Sequence, residues 1–361
     1  MTEIEQANIQ ELSKKGYALL KESKSSEALE HFQQILTLDP DNNYALVGAG
    51  DACRKMAAFN EAKDYYQRCL ECHPANNYAL FGLADVYKSQ NQYRKAIEVW
   101  DRYLEHDEKN VTVLTRVADA YRKLHDLQNS RYTYLKVLEI EEMNPYAIIG
   151  LGHLHYDFKE YRDALYYWEK MVDRPKKPVD KRVLTSIGNC HRKLKNFNDG
   201  IPYFERALEM EPTNFYSLFG LADCYRGLNQ SEKSLEYWNR ILEQDPRNKV
   251  ILTRAGDAYC NIGEYDNAVS CYERALDIEF DTYAILGLAV VKKQTGHLDE
   301  AINRLERLVQ EDPKNYRPYL ELADCYVRNN QRDRAVDVLR SFTSYGIRNA
   351  QVSEMLDNLA S

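Results

Sequence analysis

Residues 69–73 read Cys-Leu-Glu-Cys-His, which matches the C-x-x-C-H spacing that attaches a c-type haem. Such a site also needs an oxidising compartment for its assembly and a second axial ligand, and the sequence signals neither. A zinc site would need another Cys/His pair at ligand spacing, and none accompanies these residues. We therefore predict no haem, metal or other cofactor here, and a structural role for Cys69, Cys72 and His73.

The sequence motifs of common enzyme classes are missing as well. There is no G-x-x-x-x-G-K-[ST], no H-E-x-x-H and no G-x-S-x-G in the chain. The eight histidines are dispersed, and His153 and His155 point apart because they are two residues apart on a predicted helix. These observations predict a protein that is not an enzyme.

The composition is typical of a helical protein that does not enter a membrane. The 361 residues include only 15 Gly and 10 Pro, and charged residues make up 29% and are spread along the chain. The formal net charge of −8 argues against bulk attraction to nucleic acid. There is no signal-peptide core and no run of about 18 apolar residues, and eight cysteines fit reduced thiols. We predict a cytoplasmic protein without membrane insertion.

Long stretches of the sequence repeat. Residues 76–105 resemble residues 214–243, and residues 113–121 resemble residues 251–259, so both pairs lie 138 residues apart. A unit of 34 residues then covers nearly the whole chain, with starts at residues 9, 43, 77, 111, 145, 181, 215, 249, 282 and 316. Such a period predicts a solenoid in which each unit buries its apolar face against its neighbours.

Three positions of the unit carry a packing pattern. Positions 8 and 20 hold small residues, and position 24 holds a large one that we call the wedge. The wedges are Phe32, Tyr66, Trp100, Tyr134, Trp168, Phe204, Trp238, Tyr272, Leu305 and Leu339. With Pro at several unit ends, the chain from residue 9 to about 349 resembles the tetratricopeptide repeat (TPR) family, whose pattern is W-x2-L-G-x2-Y…A-x3-F…P.

The resemblance implies an all-α, right-handed superhelical solenoid of about ten helix-turn-helix units with a C-terminal capping helix. We divide the chain into an N-terminal lead-in (1–8), the repeat array (9–349) and the cap helix (350–361). The fifth unit is longer and ends in DRPKKPVDKR at residues 173–182. Its Pro175 and Pro178 predict a stiffer connection, near which the array opens first on denaturation.

The resemblance also implies that the first helix of each unit lines a concave groove that binds peptide segments of other proteins. Its groove-facing positions are 2, 5, 6, 9, 12 and 13. The candidate partner-binding residues are Tyr44, Asp51, Tyr78, Phe81, Asp85, Thr115, Arg116, Asp119, Tyr146, Arg182, Asn189, Tyr216, Phe219, Asp223, Thr253, Arg254, Asp257 and Tyr283. We expect their densest patch from the third to the eighth unit, and a ligand with apolar anchors and charges of both signs between them.

Position 6 alternates between Gly and polar residues. Gly48, Gly82, Gly150, Gly220 and Gly287 hold it in five units, whereas Arg116, Ser186 and Arg254 hold it in three others. Because helical Gly costs about 1 kcal/mol relative to Ala, we favour the interpretation that each Gly opens a recess for a ligand. The alternative is that large and small residues interlock, with Arg116 and Arg254 folded over the glycines or paired with Asp119 and Asp257 on their own helices.

The leading functional prediction is a non-catalytic scaffold or adaptor that binds a segment of another protein. A helical-repeat nucleic-acid binder is the second hypothesis, which the net charge disfavours. The third is a structural protein that self-associates through the ends of its array. The groove does not resemble the carboxylate clamp that binds chaperone tails, because position 5 never holds Lys.

Overall fold

The computed structural model describes residues 3–172 and 179–360, and in these ranges all regular structure is α-helical, in 21 helices. The chain divides into two compact parts, Met1–Lys177 and Pro178–Ser361, each of which is described by itself below. Pro175 and Pro178, where we predicted the first opening on denaturation, lie outside the described residues.

The first part contains ten helices that form five successive hairpins. They are α1 (Glu3–Lys21), α2 (Ser25–Leu38), α3 (Asn43–Lys55), α4 (Phe59–Cys72), α5 (Asn77–Ser89), α6 (Tyr93–Leu104), α7 (Val111–Lys123), α8 (Leu127–Ile140), α9 (Pro145–Asp157) and α10 (Tyr161–Val172). Residues 3–8, which we assigned to a lead-in, extend the first helix of the first hairpin.

The second part contains five further hairpins and one last helix. The helices are α11 (Lys181–Lys193), α12 (Phe197–Met210), α13 (Phe215–Gly227), α14 (Ser231–Gln244), α15 (Lys249–Asn261), α16 (Tyr265–Leu276), α17 (Thr282–Gln294), α18 (Leu298–Glu311), α19 (Tyr316–Arg328), α20 (Arg332–Ser344) and α21 (Ala350–Ala360). On α21, Val352 is fully buried against a cluster that includes Leu339 and Phe342, so this helix covers the apolar end of the last hairpin.

Local signals in the sequence start and stop the helices. The first helix of most hairpins begins after an Asn cap; the side-chain oxygen of Asn76, for example, accepts the Ala79 amide at 3.0 Å. The turn inside the hairpin contains one residue with positive φ, such as Ala57 at 61°. The following amide of Ala58 returns to the Cys53 carbonyl at 2.9 Å, which is the Schellman arrangement that ends a helix.

The wedge side chains form the core, as the repeat pattern predicts. All ten are at most 1% exposed. Each wedge lies on the second helix of its hairpin and packs where the small residues of positions 8 and 20 leave room: Gly50, for example, faces the ring of Tyr66. The all-α repeat fold and the placement of its core are thus confirmed. Among the described residues, no helix is long and apolar enough to cross a membrane.

Candidate protein-binding grooves

Exposed tyrosines mark the beginning of the first helix in five hairpins. Tyr44, Tyr78 and Tyr146 belong to the first part of the chain, and Tyr216 and Tyr283 belong to the second. Tyr78 is the most exposed, at 79%, and Tyr283 the least, at 56%. The side chain of Arg182 is equally open at this position, but it is paired with its own N-cap residue Asp180 at 2.6 Å. The tyrosine rings are therefore exposed to solvent at the same repeat position, position 2, in all five hairpins.

One helical turn after two of these tyrosines lies a half-buried phenylalanine, and the guanidinium group of an arginine packs against its ring. Arg116 lies 4.5 Å from the ring centre of Phe81 in the first part. Arg254 lies 5.5 Å from the ring centre of Phe219 in the second. Such contacts between cations and aromatic rings contribute about 0.5–1 kcal/mol at exposed sites. Phe81 and Phe219 were both predicted to face the groove. In each part, an arginine partly covers the phenylalanine ring.

The aspartates of position 9 have two kinds of partner. In hairpins with a Tyr wedge, the wedge hydroxyl donates to the aspartate: Tyr66 to Asp51 at 2.8 Å and Tyr272 to Asp257 at 2.7 Å. Tyr134 donates to Asp119 in the same way. Burial, with the nearby Asp51 carboxylate, raises the pKa of Tyr66 well above its usual range, so it remains a donor. These aspartates anchor the core wedges at the groove surface.

Two hairpins combine a Trp wedge with an aspartate at position 9, and arginines hold that aspartate. Most of these arginines belong to neighbouring hairpins, but Arg226 lies on the same helix as Asp223. Asp85 accepts from Arg116 and lies 3.9 Å from Arg54. Asp223 accepts from Arg192 at 2.6 Å and from Arg226 at 2.7 Å, and Arg254 lies 3.6 Å away. Within the interlocking alternative, Arg116 and Arg254 could pair with Asp119 and Asp257 on their own helices. They contact Asp85 and Asp223 of the preceding hairpin instead.

The glycines at position 6 do not open recesses. A Cβ on Gly82 would lie 2.4 Å from the ring of Tyr66, and a Cβ on Gly220 would lie 2.3 Å from the ring of Phe204. Gly48, Gly150 and Gly287 face the wedge of the preceding hairpin at similarly short distances. The recess interpretation is therefore wrong. Large and small residues interlock instead, because each of these glycines leaves space for the wedge ring of the preceding hairpin.

This interlocking sets the spacing of the helices that line the groove. At Gly82, α5 packs closely against α3, and at Gly220, α13 packs closely against α11. The first helices are less closely packed between α5 and α7 and between α13 and α15, beside the large Trp100 and Trp238 wedges. Phe81 with Arg116 and Phe219 with Arg254 lie at these less closely packed helix pairs.

Three predicted groove residues use their polar atoms within the protein. The hydroxyls of Thr115 and Thr253 donate to carbonyls of their own helices, at 2.7 and 3.1 Å. The side-chain oxygen of Asn189 accepts from Arg192 at 3.2 and 3.1 Å. These residues shape the groove but offer few free polar groups to a ligand.

A concave pocket of about 830 Å³ lies among α1, α3 and α5 in the first part. Tyr44, Asp51 and Tyr78 line it, as predicted for the groove, together with Lys14 and Tyr17 of α1. The Tyr17 hydroxyl donates to the Tyr44 carbonyl at 2.9 Å. Sequence reasoning missed the residues of α1. The available signal was Tyr17 itself, which occupies the repeat position where most units have Asp.

Of the three residues that resembled a cofactor site, Cys69 and His73 have structural positions, and Cys72 is exposed. Cys69 is buried, and burial raises the pKa of its thiol to about 11. His73 ends helix α4, and its amide donates to the Cys69 carbonyl at 2.8 Å. Elsewhere, the Nδ1 atom of His155 lies 2.7 Å from Glu160, and Asp163 is close enough to complete a trio of metal-ligating groups. His155 also stacks on Tyr167, which fits a packing role.

Tetratricopeptide repeat family models match six stretches of the chain. These are residues 13–77, 65–98, 182–214, 203–236, 251–282 and 293–344, which together cover more than half of it. The chain belongs to the tetratricopeptide repeat family. Membership supports a general role as a protein-interaction scaffold in a family that is generally non-catalytic.

Individual TPR proteins match this chain more weakly. The RNA polymerase-associated protein CTR9 of Caenorhabditis elegans is 33% identical over 75 residues, which cover 20% of this chain and only 6% of that protein. Two solved structures are YrrB, described as a TPR protein with an unusual peptide-binding site, and pilF of Pseudomonas aeruginosa. YrrB is 20% identical, covering 52% of this chain and 97% of its own, with a TM-score of 0.47. PilF is 13% identical, covering 59% and 96%, with a TM-score of 0.49.

Proposed function

We propose that this TPR protein is a non-catalytic scaffold whose concave helices bind a segment of a partner protein. The segment carries apolar anchors separated by charges of both signs. The observation that carries the proposal is the row of exposed tyrosines beside half-buried phenylalanines with paired Arg and Asp.

The tyrosine row supports a binding role because it recurs at one position. Tyr44, Tyr78 and Tyr146 of the first part are more than half exposed, as are Tyr216 and Tyr283 of the second. A single exposed ring is ordinary for a folded protein. Here the exposed ring recurs at one repeat position, on three first helices of the first part and two of the second. Tyr is one of the residues that dominate binding free energy at interfaces.

The charges support a ligand of mixed sign. Asp51, Asp119 and Asp257 reach the groove surface from the Tyr-wedge hairpins, and arginines lie between them at Asp85 and Asp223. Because neither sign predominates along the first helices, a uniformly charged polymer such as nucleic acid fits less well than a protein segment.

Site-specific photocrosslinking tests the proposal. A photoreactive phenylalanine analogue is placed at Tyr78 or Tyr216, and at Tyr132 as the control, because Tyr132 is 70% exposed but lies on the second helix of its hairpin. We expect crosslinks to a partner protein at the two groove positions and none at Tyr132. Tyr78→Ala and Tyr216→Ala should each weaken binding of that partner by about 2 kcal/mol.

Three outcomes would contradict the proposal. Crosslinking at Tyr132 alone would move the binding surface off the first helices. Nuclease-sensitive crosslinks with steep salt dependence would favour the nucleic-acid hypothesis. Crosslinks to a second copy of this chain, with a mass that rises with concentration, would favour self-association.

A further inference from the structure

Three guanidinium groups converge on a single carboxylate in the second part of the chain. Asp223 is buried, and its Oδ2 atom accepts from Arg192 at 2.6 Å. Its Oδ1 atom accepts two bonds from Arg226, at 2.7 and 3.0 Å. Arg254 is the third cation, and its nearest nitrogen lies 3.6 Å from Oδ1. We call these four residues the Asp223 cluster.

Arg254 is the member whose hydrogen-bonding groups are least used. Its distance to Asp223 is beyond an ordinary hydrogen bond, because the two carboxylate oxygens already serve the other arginines. Its Nε atom is buried without a hydrogen-bond partner among the described residues. The Arg254 side chain as a whole is 33% exposed, so an acceptor from outside the protein can approach the part that is open to solvent.

The charges that face Arg254 leave a positive excess. Asp257 on the same helix is the other nearby carboxylate, but it accepts from the Tyr272 hydroxyl at 2.7 Å and forms no ion pair with Arg254. Three cations therefore face two carboxylates. Burial lowers the pKa of Arg254, and Arg226 and Arg192 lower it further against the opposing effect of Asp223 and Asp257.

The related site in the first part has no such excess. Residues 138 positions earlier than the cluster are Arg54, Asp85, Lys88 and Arg116, with Asp51 in place of Asn189. Arg54 pairs with Asp51 at 3.0 Å, and Arg116 pairs with Asp85. Each arginine thus has its own carboxylate. Asn189 supplies no charge at the second site, where Arg192 donates to the Asn189 oxygen and also pairs with Asp223.

The apolar surroundings of the Asp223 cluster suit an adjoining side chain. Phe219 is half-buried between Arg254 and Arg192, at 5.5 and 5.7 Å from its ring centre. Tyr216, one helical turn earlier, is 69% exposed. A bound segment can therefore place an apolar residue on these rings while an adjacent residue reaches the guanidinium groups.

We infer that the Asp223 cluster binds the carboxylate of an Asp or Glu side chain in the partner segment, next to an apolar residue that contacts Phe219 and Tyr216. This inference rests on the proposed function, because it names the chemistry that one part of the groove selects. A carboxylate accepts two parallel hydrogen bonds from an arginine, which gives direction as well as affinity.

Peptide selection tests the inference without knowledge of the natural partner. A random dodecapeptide phage library is selected on the full chain, on Arg254→Gln and on Arg116→Gln. Arg116→Gln is the matched control at the first site, and circular dichroism checks that each variant stays helical. Some selected peptides should bind the full chain and reduce crosslinking by the photoreactive analogue placed at Tyr216. We expect these peptides to be enriched in Asp or Glu beside an apolar residue. Arg254→Gln should remove this enrichment and Arg116→Gln should not.

Synthetic peptides then measure the preference. For a selected peptide, replacement of its acidic residue by the matching amide should raise Kd about tenfold or more on the full chain. The same replacement should change Kd less than twofold on Arg254→Gln. Asp223→Asn, which keeps all three arginines and removes the internal carboxylate, should preserve or increase the preference.

The outcomes separate this inference from the proposed function. Peptides that bind at Tyr216 without acidic enrichment, or with a preference that Arg254→Gln leaves intact, would overturn the inference and leave the groove as a binding site. If no peptide competes with crosslinking at Tyr78 or Tyr216, the proposed function fails as well.

Discussion

The two parts of this TPR protein contain the same groove motif, and they balance its charges differently. Five residues of the motif correspond between the two parts: Tyr78 to Tyr216, Phe81 to Phe219, Asp85 to Asp223, Trp100 to Trp238 and Arg116 to Arg254. The aromatic residues are conserved between the two parts, as are the central aspartate and the arginine. Two differences lie one hairpin earlier, where Asp51 and Tyr66 become Asn189 and Phe204, and a third lies beside the central aspartate, where Lys88 becomes Arg226.

Those two replacements belong together physically. In the first part, the Tyr66 hydroxyl donates to Asp51 at 2.8 Å, and Arg54 pairs with the same carboxylate at 3.0 Å. In the second part, the ring has no hydroxyl and the amide of Asn189 has no charge. Arg192 donates to the Asn189 oxygen and also pairs with Asp223 at 2.6 Å. The loss of one hydroxyl and one carboxylate, with Arg226 in place of Lys88, replaces two balanced ion pairs by a cluster with excess positive charge.

The glycines beneath the two motifs should give the largest effect. Alanine at Gly82 or Gly220 places a Cβ 2.4 or 2.3 Å from the wedge ring below. We expect Gly82→Ala to lower the free energy of unfolding by about 3 kcal/mol and Gly220→Ala by about 2 kcal/mol, in the range of core overpacking. Gly82→Ala should have the larger effect because a hydrogen bond to Asp51 fixes the Tyr66 ring, whereas the Phe204 ring has no such hydrogen bond. Urea denaturation, fitted with a nearest-neighbour repeat scheme, measures both.

Two controls accompany the glycine variants. Ser186→Ala, at the same repeat position, should change stability by less than about 0.5 kcal/mol, because Ser already carries a Cβ. Gly220→Ala combined with Phe204→Leu should recover part of the loss by shortening the opposing side chain. Stabilisation by Gly82→Ala, as helix propensity alone suggests, would refute the interlocking arrangement.

The next largest effect should be a difference in stability loss between substitutions of Asp223 and Asp85. Asp223→Asn should cost about 2 kcal/mol, because Asp223 accepts three hydrogen bonds from arginines. Asp85→Asn should cost about 1 kcal/mol, because Arg116 supplies its one short contact. Urea denaturation of both variants at pH 7 measures the difference. Equal losses would mean that the second and third arginines add nothing to the stability of the Asp223 cluster.

The loss at Asp223 should depend on pH. Desolvation acts to raise the pKa of Asp223, but hydrogen bonds from Arg192 and Arg226 outweigh it, so the pKa lies below its usual value. A lowered folded-state pKa stabilises the protein above the unfolded-state pKa, and this stabilisation disappears as pH falls through the folded value. The stability difference between the wild type and Asp223→Asn should be constant from about pH 6 to 8 and shrink below about pH 4. A difference that is unchanged at pH 3 would contradict this assignment.

The smallest expected effect is the coupling between Asp51 and Tyr66. A double-mutant cycle of Asp51→Asn and Tyr66→Phe should give a coupling of about 1 kcal/mol, because either change alone leaves the other group without its partner. In the second part, Asn189→Asp with Phe204→Tyr should be better tolerated together than Asn189→Asp alone. Additive effects in the first cycle would show that the two positions differ between the parts independently.

Much of the fold followed from sequence, because its information is local and repeated. The small residues at positions 8 and 20 and the wedges at position 24 recur every 34 residues, so their burial could be predicted from any one unit. The exposed tyrosines at position 2 were predicted for the same reason. The helix starts can also be recognised in the sequence, since an Asn such as Asn76 before most first helices is a common N-cap.

The sequence by itself determined that the chain is an array of helical hairpins with a wedge core and tyrosines on its first helices. The tertiary structure alone decided what occupies the space beside each glycine and which carboxylate each arginine contacts. Gly82 meets Tyr66 from the preceding hairpin, and Arg116 crosses to Asp85, 31 residues earlier. Helical periodicity identifies neighbours three or four residues apart on one helix. It does not identify which side chain of the adjacent hairpin reaches across, because that depends on how far the wedge holds the two helices apart.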